Sequence, residues 1–223
     1  MPVTHPQPRR FLAQFKSYRF LGLLLALLLL AIASPFVGRD FVDHAVLAVL
    51  LAIVLFAAIT AATPRRHERW IAGALAIGSG LVIGAGLLLE HRVIYLPALG
   101  LLAAYLGYTI LVILRRMVTA SQIDADILCG AAAIYLLLGV GWGVTYWMIY
   151  ELDHGAFATI SAMDQVPFKF HSFLYYSLSC LTSLGIGDIT PINHFAQIWT
   201  TLETVTGNLY IAVLVARLVS LYR

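Results

Sequence analysis

The sequence predicts an all-α transmembrane protein with six membrane-spanning helices and one further short helix that enters the membrane and turns back. Three observations carry this. Of the 223 residues, 61% are hydrophobic and only 11% charged, against about 25% charged in an ordinary soluble domain. The apolar residues run on without interruption for roughly the 20 residues that a bilayer crossing needs, and the charges gather in the short gaps between the runs. Near the C-terminus one apolar helical stretch, HSFLYYSLSCLTS, is too short to cross and leads into a glycine-rich string. Irregular backbone at membrane depth is tolerated only where protein or water lines it. Six crossings use nearly the whole chain, so a separate soluble catalytic or sensory domain is not expected.

Each element follows in order. Residues 1–19 read as a basic cytoplasmic segment. Within it and one residue beyond, RRFLAQFKSYRF (9–20) interleaves bases with aromatics, which suits a helix lying on anionic inner-leaflet lipid and equally a simple flanking tail. Residues 20–114 form a four-helix transmembrane domain with spans near 20–36, 42–63, 70–89 and 93–114. Residues 1–33 also carry the marks of a secretory signal, with bases before LGLLLALLLL and then Ala31, Ile32 and Ala33, so cleavage there is an open alternative. Gly80 and Gly84 in the third span form a GxxxG pair, read as helix packing. A linker at 115–126 contains Ser121 and Asp124 at the spacing of a capping box for the next helix. A C-terminal unit, 127–223, then comprises an outer helix (127–150), a polar segment (151–170), the short helix (171–182), the string 183–187 and a last helix (193–221). No internal repeat is evident.

Of the fourteen Lys and Arg, all but Arg39, Arg92 and Lys169 fall in gaps on one side of the membrane. The positive-inside rule makes that side cytoplasmic, which places both termini inside a cell (inner) membrane and the 151–192 segment outside. The acids take the opposite distribution, and an outer mouth rich in carboxylates concentrates cations. A basic nucleic-acid face would need clustered bases, and here they flank spans instead, so nucleic acid is not an expected partner. Cys129 and Cys180 lie in apolar segments without metal-ligand spacing and read as buried thiols. The seven histidines all fall in gaps or at span ends, and none forms a zinc motif. Outer His154, His171 and His194 read as proton sensors of the outer mouth or as ordinary loop histidines.

The informative string is TSLGIGD, Thr182–Asp188. Two glycines one residue apart permit backbone dihedrals that a Cβ would forbid, so carbonyls of successive residues can all point one way. One strand offers too few oxygens to replace an ion's hydration shell, so a cation site of this kind needs several chains around an axis. The segment resembles the selectivity filter of the potassium channel superfamily, whose pattern is TTVGYGD. Thr182 and Ser183 match the threonines, Leu184 the valine, Gly185 and Gly187 the glycines, and Asp188 the aspartate, while Ile186 replaces the tyrosine. The resemblance covers the outer helix, pore helix, filter and inner helix, and the four upstream spans give a layout similar to the voltage-gated branch.

The resemblance implies a homotetramer that conducts K+ passively, with no cofactor beyond the ions in the filter. The carbonyls of Ser183, Leu184, Gly185 and Ile186 and the Ser183 hydroxyl would bind K+, with Gly187 completing the filter. Thr182, Asp188, Tyr175, Tyr176 and Ser179 would support it. Ile186 has no hydroxyl to brace the filter, a part that Tyr175 and Tyr176 could take over, and Ser179 stands where some family members carry a glutamate. The same departure keeps a weakly selective Na+/K+ channel as the alternative. An intramembrane hydrolase is a remote one, because no His or Lys lies mid-span to activate a serine, and enzyme activity is not expected.

Residues 93–114 contain no Arg or Lys, whereas a voltage sensor needs one at every third position. Steep voltage dependence is therefore not expected. Glu203, the only acid within a span, and Gly207 are the gating candidates. Glu203 either lines the central cavity or sits behind the filter bonded to a hydroxyl such as that of Thr182 or Ser179. Gly207 is either a hinge or a close-packing site. Glu203, Gly207, Tyr210, Leu214 and Arg217 share one helical face. The sequence stops at Arg223, so no attached cytoplasmic gating domain is expected.

Overall fold

The computed structural model of the chain describes residues 19–36, 50–58, 92–119, 125–159 and 168–221, together with Gly73 and Gly78. The helices are α1 (Arg19–Ala33, continued by a 3-10 turn, Ser34–Phe36), α2 (50–58), α3 (Arg92–Thr119), α4 (Ala125–Leu152), α5 (Phe170–Leu181) and α6 (His194–Leu221). Two short strands, β1 (Phe157–Thr159) and β2 (Ile189–Pro191), complete the elements. Among the described residues three helices are long and apolar enough to cross a membrane, over Leu99–Thr119, Ala125–Leu152 and His194–Arg217. The protein is thus a mostly helical membrane protein.

The first expected span, 20–36, coincides with an apolar helical stretch over Phe20–Phe36, although its last turn is 3-10 rather than α-helical. The α-helical part of α1 has 15 residues, which rise about 22 Å against a hydrocarbon core of about 30 Å. Pro35 is the reason for the change of geometry, since it disfavours the α conformation in the residue before it. Of the second span only 50–58 is described, and the third, with Gly80 and Gly84, lies outside the described residues apart from Gly73 and Gly78. The basic segment 1–18 and the residues 121 and 124 of the suggested capping box also lie outside them.

The expected linker 115–126 is helical at both of its ends, because α3 continues through Arg115 and Arg116 to Thr119 and α4 begins at Ala125; residues 120–124 lie outside the described residues. Bases in a last turn are favoured by the helix dipole, and the Thr119 hydroxyl donates back to the Arg115 and Arg116 carbonyls. The Arg116 guanidinium also stands 5.2 Å over the Phe20 ring. The start of α1 is fixed to α4, with the Phe20 N–H donating to Asp126 at 2.9 Å and the Phe20 ring lying where a Cβ on Gly130 would come within 3.1 Å. Leu23, Leu27 and Leu30 of α1, Leu102 and Leu106 of α3, and Ile134 and Leu137 of α4 share one buried core. Cys180 is buried as expected, but Cys129 is only half-buried.

α5 packs in the angle between α4 and α6. Its approach to α4 runs over Gly139 and Gly143. A Cβ on Gly139 would press on the Leu178 side chain at 2.6 Å, and one on Gly143 would sit 3.2 Å from the Leu174 Cα. Toward the C-terminal end of α4, Tyr146, Phe157, Phe173 and Tyr176 form an edge-to-face cluster with ring centroids 5.1–5.7 Å apart. The polar segment contributes to it through β1, which pairs antiparallel with β2 in the register Phe157–Pro191, Ala158–Thr190 and Thr159–Ile189. This two-stranded sheet ties the segment after α4 to the residues just after the glycine string.

Candidate functional site

The last four carbonyls of a helix have no partner within it and must find one elsewhere. In α5 every one of them does. The Leu178 carbonyl accepts from the Thr182 N–H and hydroxyl. The Ser179 carbonyl accepts from the Leu184 and Gly185 N–H groups at 2.9 and 3.2 Å. The Cys180 carbonyl accepts from the Ser183 N–H at 2.9 Å and from the Thr204 hydroxyl of α6. The Leu181 carbonyl accepts from the Tyr135 hydroxyl of α4 at 3.0 Å. The end of α5 is therefore held by α4, by α6 and by the string that follows it.

The string is folded by these bonds. Ser183, Gly185 and Gly187 have φ of 57°, 57° and 83°, while Leu184 and Ile186 between them keep ordinary negative φ. In a strand of uniform handedness successive carbonyls alternate in direction. Alternating handedness turns them to one side and the N–H groups to the other. The N–H groups of Ser183, Leu184 and Gly185 are spent on α5 carbonyls, and that of Ile186 on the Ser179 hydroxyl at 3.3 Å. Among the described residues no group donates to the carbonyls of Ser183, Leu184, Gly185 or Ile186. The exposed side of the string is thus acceptor only, which suits a cation and repels an anion.

Ser179 is the main brace of the string, through its carbonyl and its hydroxyl together. The two tyrosines act differently. The Tyr176 hydroxyl pairs with Thr200 of α6 at 2.8 Å, linking helix to helix, and the Tyr175 hydroxyl interacts with the Asp188 carboxylate. Asp188 also accepts from the Ile189 N–H. The start of α6 is capped by Asn193, whose Oδ1 accepts from the Ala196 N–H at 2.7 Å and whose amide donates to Asp153. His171, in the first turn of α5, is half-buried, and burial with the neighbouring Lys169 ammonium holds its imidazole below the usual range.

Glu203 is buried behind the string, and its hydroxyl partners are Ser177 and Tyr146 rather than Thr182 or Ser179. Thr182 instead turns its hydroxyl to the Leu178 carbonyl. Gly207 lies against the end of α5 so closely that a Cβ would overlap the Leu181 carbonyl oxygen, and α6 runs through it without a break. Tyr210 donates to the Ala131 carbonyl and Arg217 to that of Val118. The face shared by Glu203, Gly207, Tyr210 and Arg217 therefore turns toward α3, α4 and α5, and the opposite side of α6 is open. Sequence reasoning missed Ser177, Tyr146, Tyr135, Thr204 and Asn208. The last receives the Ser183 hydroxyl at 3.3 Å, and an asparagine inside an apolar last span was its available signal.

Residues 127–223 match the protein family described as "Ion channel". No curated protein and no solved structure matches the chain. The matched stretch spans α4, α5, the string and α6. The C-terminal part of this membrane protein is therefore similar to ion-channel domains.

Proposed function

We propose that the chain is a homotetrameric, potassium-selective channel that passes K+ down its electrochemical gradient through a filter of backbone carbonyls at Ser183, Leu184, Gly185 and Ile186, completed by Gly187. The observation that carries this reading is the division of the string's backbone, with its N–H groups spent on α5 and its carbonyls unpaired. Carbonyls left unpaired at membrane depth cost several kcal/mol each in lipid, so ions, water and other copies of the chain must face them. One chain supplies one oxygen per level, and four supply the rings that replace a hydration shell. Leu184 and Ile186 are 67% and 53% exposed on a single chain, and Leu202, Val205, Leu209 and Val213 form an exposed apolar stripe along α6. Three further copies would cover both.

The remaining sequence expectations belong to the same reading: six spans, both termini cytoplasmic, a cell-membrane location, contact with anionic inner-leaflet lipid, and no cofactor other than K+. α3 has no base between Arg92 and Arg115, so the channel is proposed to lack steep voltage dependence. The missing hydroxyl at Ile186 favours one second reading, a weakly selective Na+/K+ channel. Ion flux into proteoliposomes tests all of this. Wild type is expected to take up K+ far faster than Na+, and Gly185→Ala to abolish uptake because φ at that position is 57°. Equal K+ and Na+ flux would select the second reading, and unchanged flux in Gly185→Ala would remove the filter assignment.

A further inference from the structure

Glu203 is 0% exposed, between α4 and α5. Its Oε2 lies 2.5 Å from the Tyr146 hydroxyl and its Oε1 2.5 Å from Ser177 Oγ. The same Ser177 Oγ lies 2.7 Å from the Gly139 carbonyl oxygen. A serine hydroxyl has one proton, and a backbone carbonyl has none to give. If Ser177 gives its proton to Gly139, the contact with Glu203 needs a proton from the carboxyl side. If it gives the proton to Glu203, the oxygens of Ser177 and Gly139 meet lone pair to lone pair at 2.7 Å. Only a neutral carboxylic acid satisfies the three short contacts together: Tyr146 O–H to Oε2, which it prefers to the Trp199 carbonyl 3.5 Å away, Oε1–H to Ser177 Oγ, and Ser177 O–H to Gly139.

The surroundings agree with this count. An ionised carboxylate without a counter-ion costs several kcal/mol to bury. The titratable groups that face Glu203 are Tyr135 and Tyr146 from α4 and Tyr176 and Cys180 from α5. On α6 there is no other titratable residue between His194 and Tyr210. None of these is a cation, and among the described residues the side chains that hydrogen-bond to Glu203 are the Tyr146 and Ser177 hydroxyls.

We propose that Glu203 is a proton-binding site behind the filter, occupied at neutral pH, and that its proton holds α5 between α4 and α6. When the proton is lost, Ser177 turns its own proton to the carboxylate and releases the Gly139 carbonyl. The contact of α5 with α4 then opens beside Leu178, one turn from the filter. Glu203 is a positioning residue here, acting through α5. The consequence for conduction rests on the channel reading above, whereas the protonation does not.

The test combines two measurements on the full chain in lipid vesicles. Infrared difference spectra of wild type at neutral pH are expected to show the C=O band of a buried carboxylic acid, lost in Glu203→Gln and lost in wild type at alkaline pH. If Glu203 contributes only ionised-carboxylate bands at neutral pH, the proposal is overturned whether or not the protein conducts. In K+ flux, wild type is expected to fall with rising pH. Glu203→Gln, which keeps one donor and one acceptor in the same places, should conduct as wild type does at neutral pH and lose the alkaline decline. A parallel decline in both overturns the role of the proton in holding the filter. Absence of any flux from either, with the acid band present, counts against the channel reading and leaves the proton site standing.

Discussion

Gly207→Ala separates close packing from hinging in the inner helix. In a helix interior the exchange would by itself stabilise by about 0.5–1 kcal/mol, since glycine loses more backbone freedom on folding. At Gly207 the added Cβ overlaps the Leu181 carbonyl oxygen and lies 3.1 Å from both the carbonyl carbon and Cδ1 of that residue. The obstacle is backbone at the end of α5, so a rotamer change cannot relieve it. Overpacking of this kind costs about 1–3 kcal/mol, and the overlap with backbone puts Gly207 at the upper end of that range, which leaves a net loss of up to about 2.5 kcal/mol per chain. Gly141→Ala is the control, as a Cβ there meets nothing within 4 Å. Gly139→Ala should fall between, because the atom in its way is the end of the flexible Leu178 side chain. Thermal unfolding of the purified protein in detergent measures the series. The midpoint is expected to fall in the order Gly207→Ala, then Gly139→Ala, with Gly141→Ala at or above wild type. A Gly207→Ala protein as stable as the Gly141→Ala protein would refute the packing argument and restore the hinge.

Two further predictions concern the brace and the arrangement of the outer helices. Ser179→Ala keeps α5 helical but removes the acceptor of the part-buried Ile186 N–H, a loss of about 0.5–1.5 kcal/mol for a hydrogen bond of this kind. Reversal potentials in mixed K+ and Na+ should shift toward those of a less selective pore, and an unchanged shift-free selectivity would show that Ser179 does not brace the filter. Cysteines placed at Phe20 and Gly130, in a chain with Cys129 and Cys180 replaced by alanine, should cross-link within one subunit and migrate as monomer on a denaturing gel. A ladder of dimers and higher forms would show that α1 packs on a neighbour's outer helix.

The parts legible in the sequence were those that depend on length and local backbone chemistry. The α4, α5 and α6 stretches stand out because apolar runs of two lengths separate crossing from re-entrant helices, and Ser183 to Asp188 because only glycine readily adopts the positive φ found at Gly185 and Gly187. The change from α to 3-10 geometry after Ala33 was also written there, in Pro35. The continuation of α3 was misread because Arg115 and Arg116 were taken to end the helix, whereas bases are at home in a last turn. The partners of Glu203 were not legible. They depend on how α4, α5 and α6 are rotated about their own axes. In helices that are apolar on most sides no hydrophobic face fixes that rotation. What fixes it is the pattern of glycines at 130, 139, 143 and 207, each marking a close approach, and the pair Gly139 and Gly143 was a GxxxG signal that went unused.

That pattern explains how a chain with 11% charged residues holds the glycine string in place. Between membrane helices there is no hydrophobic driving force, and association rests on close contact and interhelical hydrogen bonds. Here hydroxyls make those bonds around α5 and α6: Tyr135 to Leu181, Tyr146 to Glu203, Ser177 to Gly139, Tyr176 to Thr200, Thr204 to Cys180 and Tyr210 to Ala131. At about 0.6 kcal/mol each the six contribute roughly 4 kcal/mol per subunit. Five of them tie α5, or Glu203 directly behind it, to a neighbouring helix. The string, without a hydroxyl at Ile186, therefore depends less on its own side chains than on α5, and so does the filter proposed for it. The geometry of the carbonyls is set by Ser179, whose position is set in turn by the hydroxyl bonds on either side of it, at Tyr176 and Ser177 and at Cys180 and Leu181.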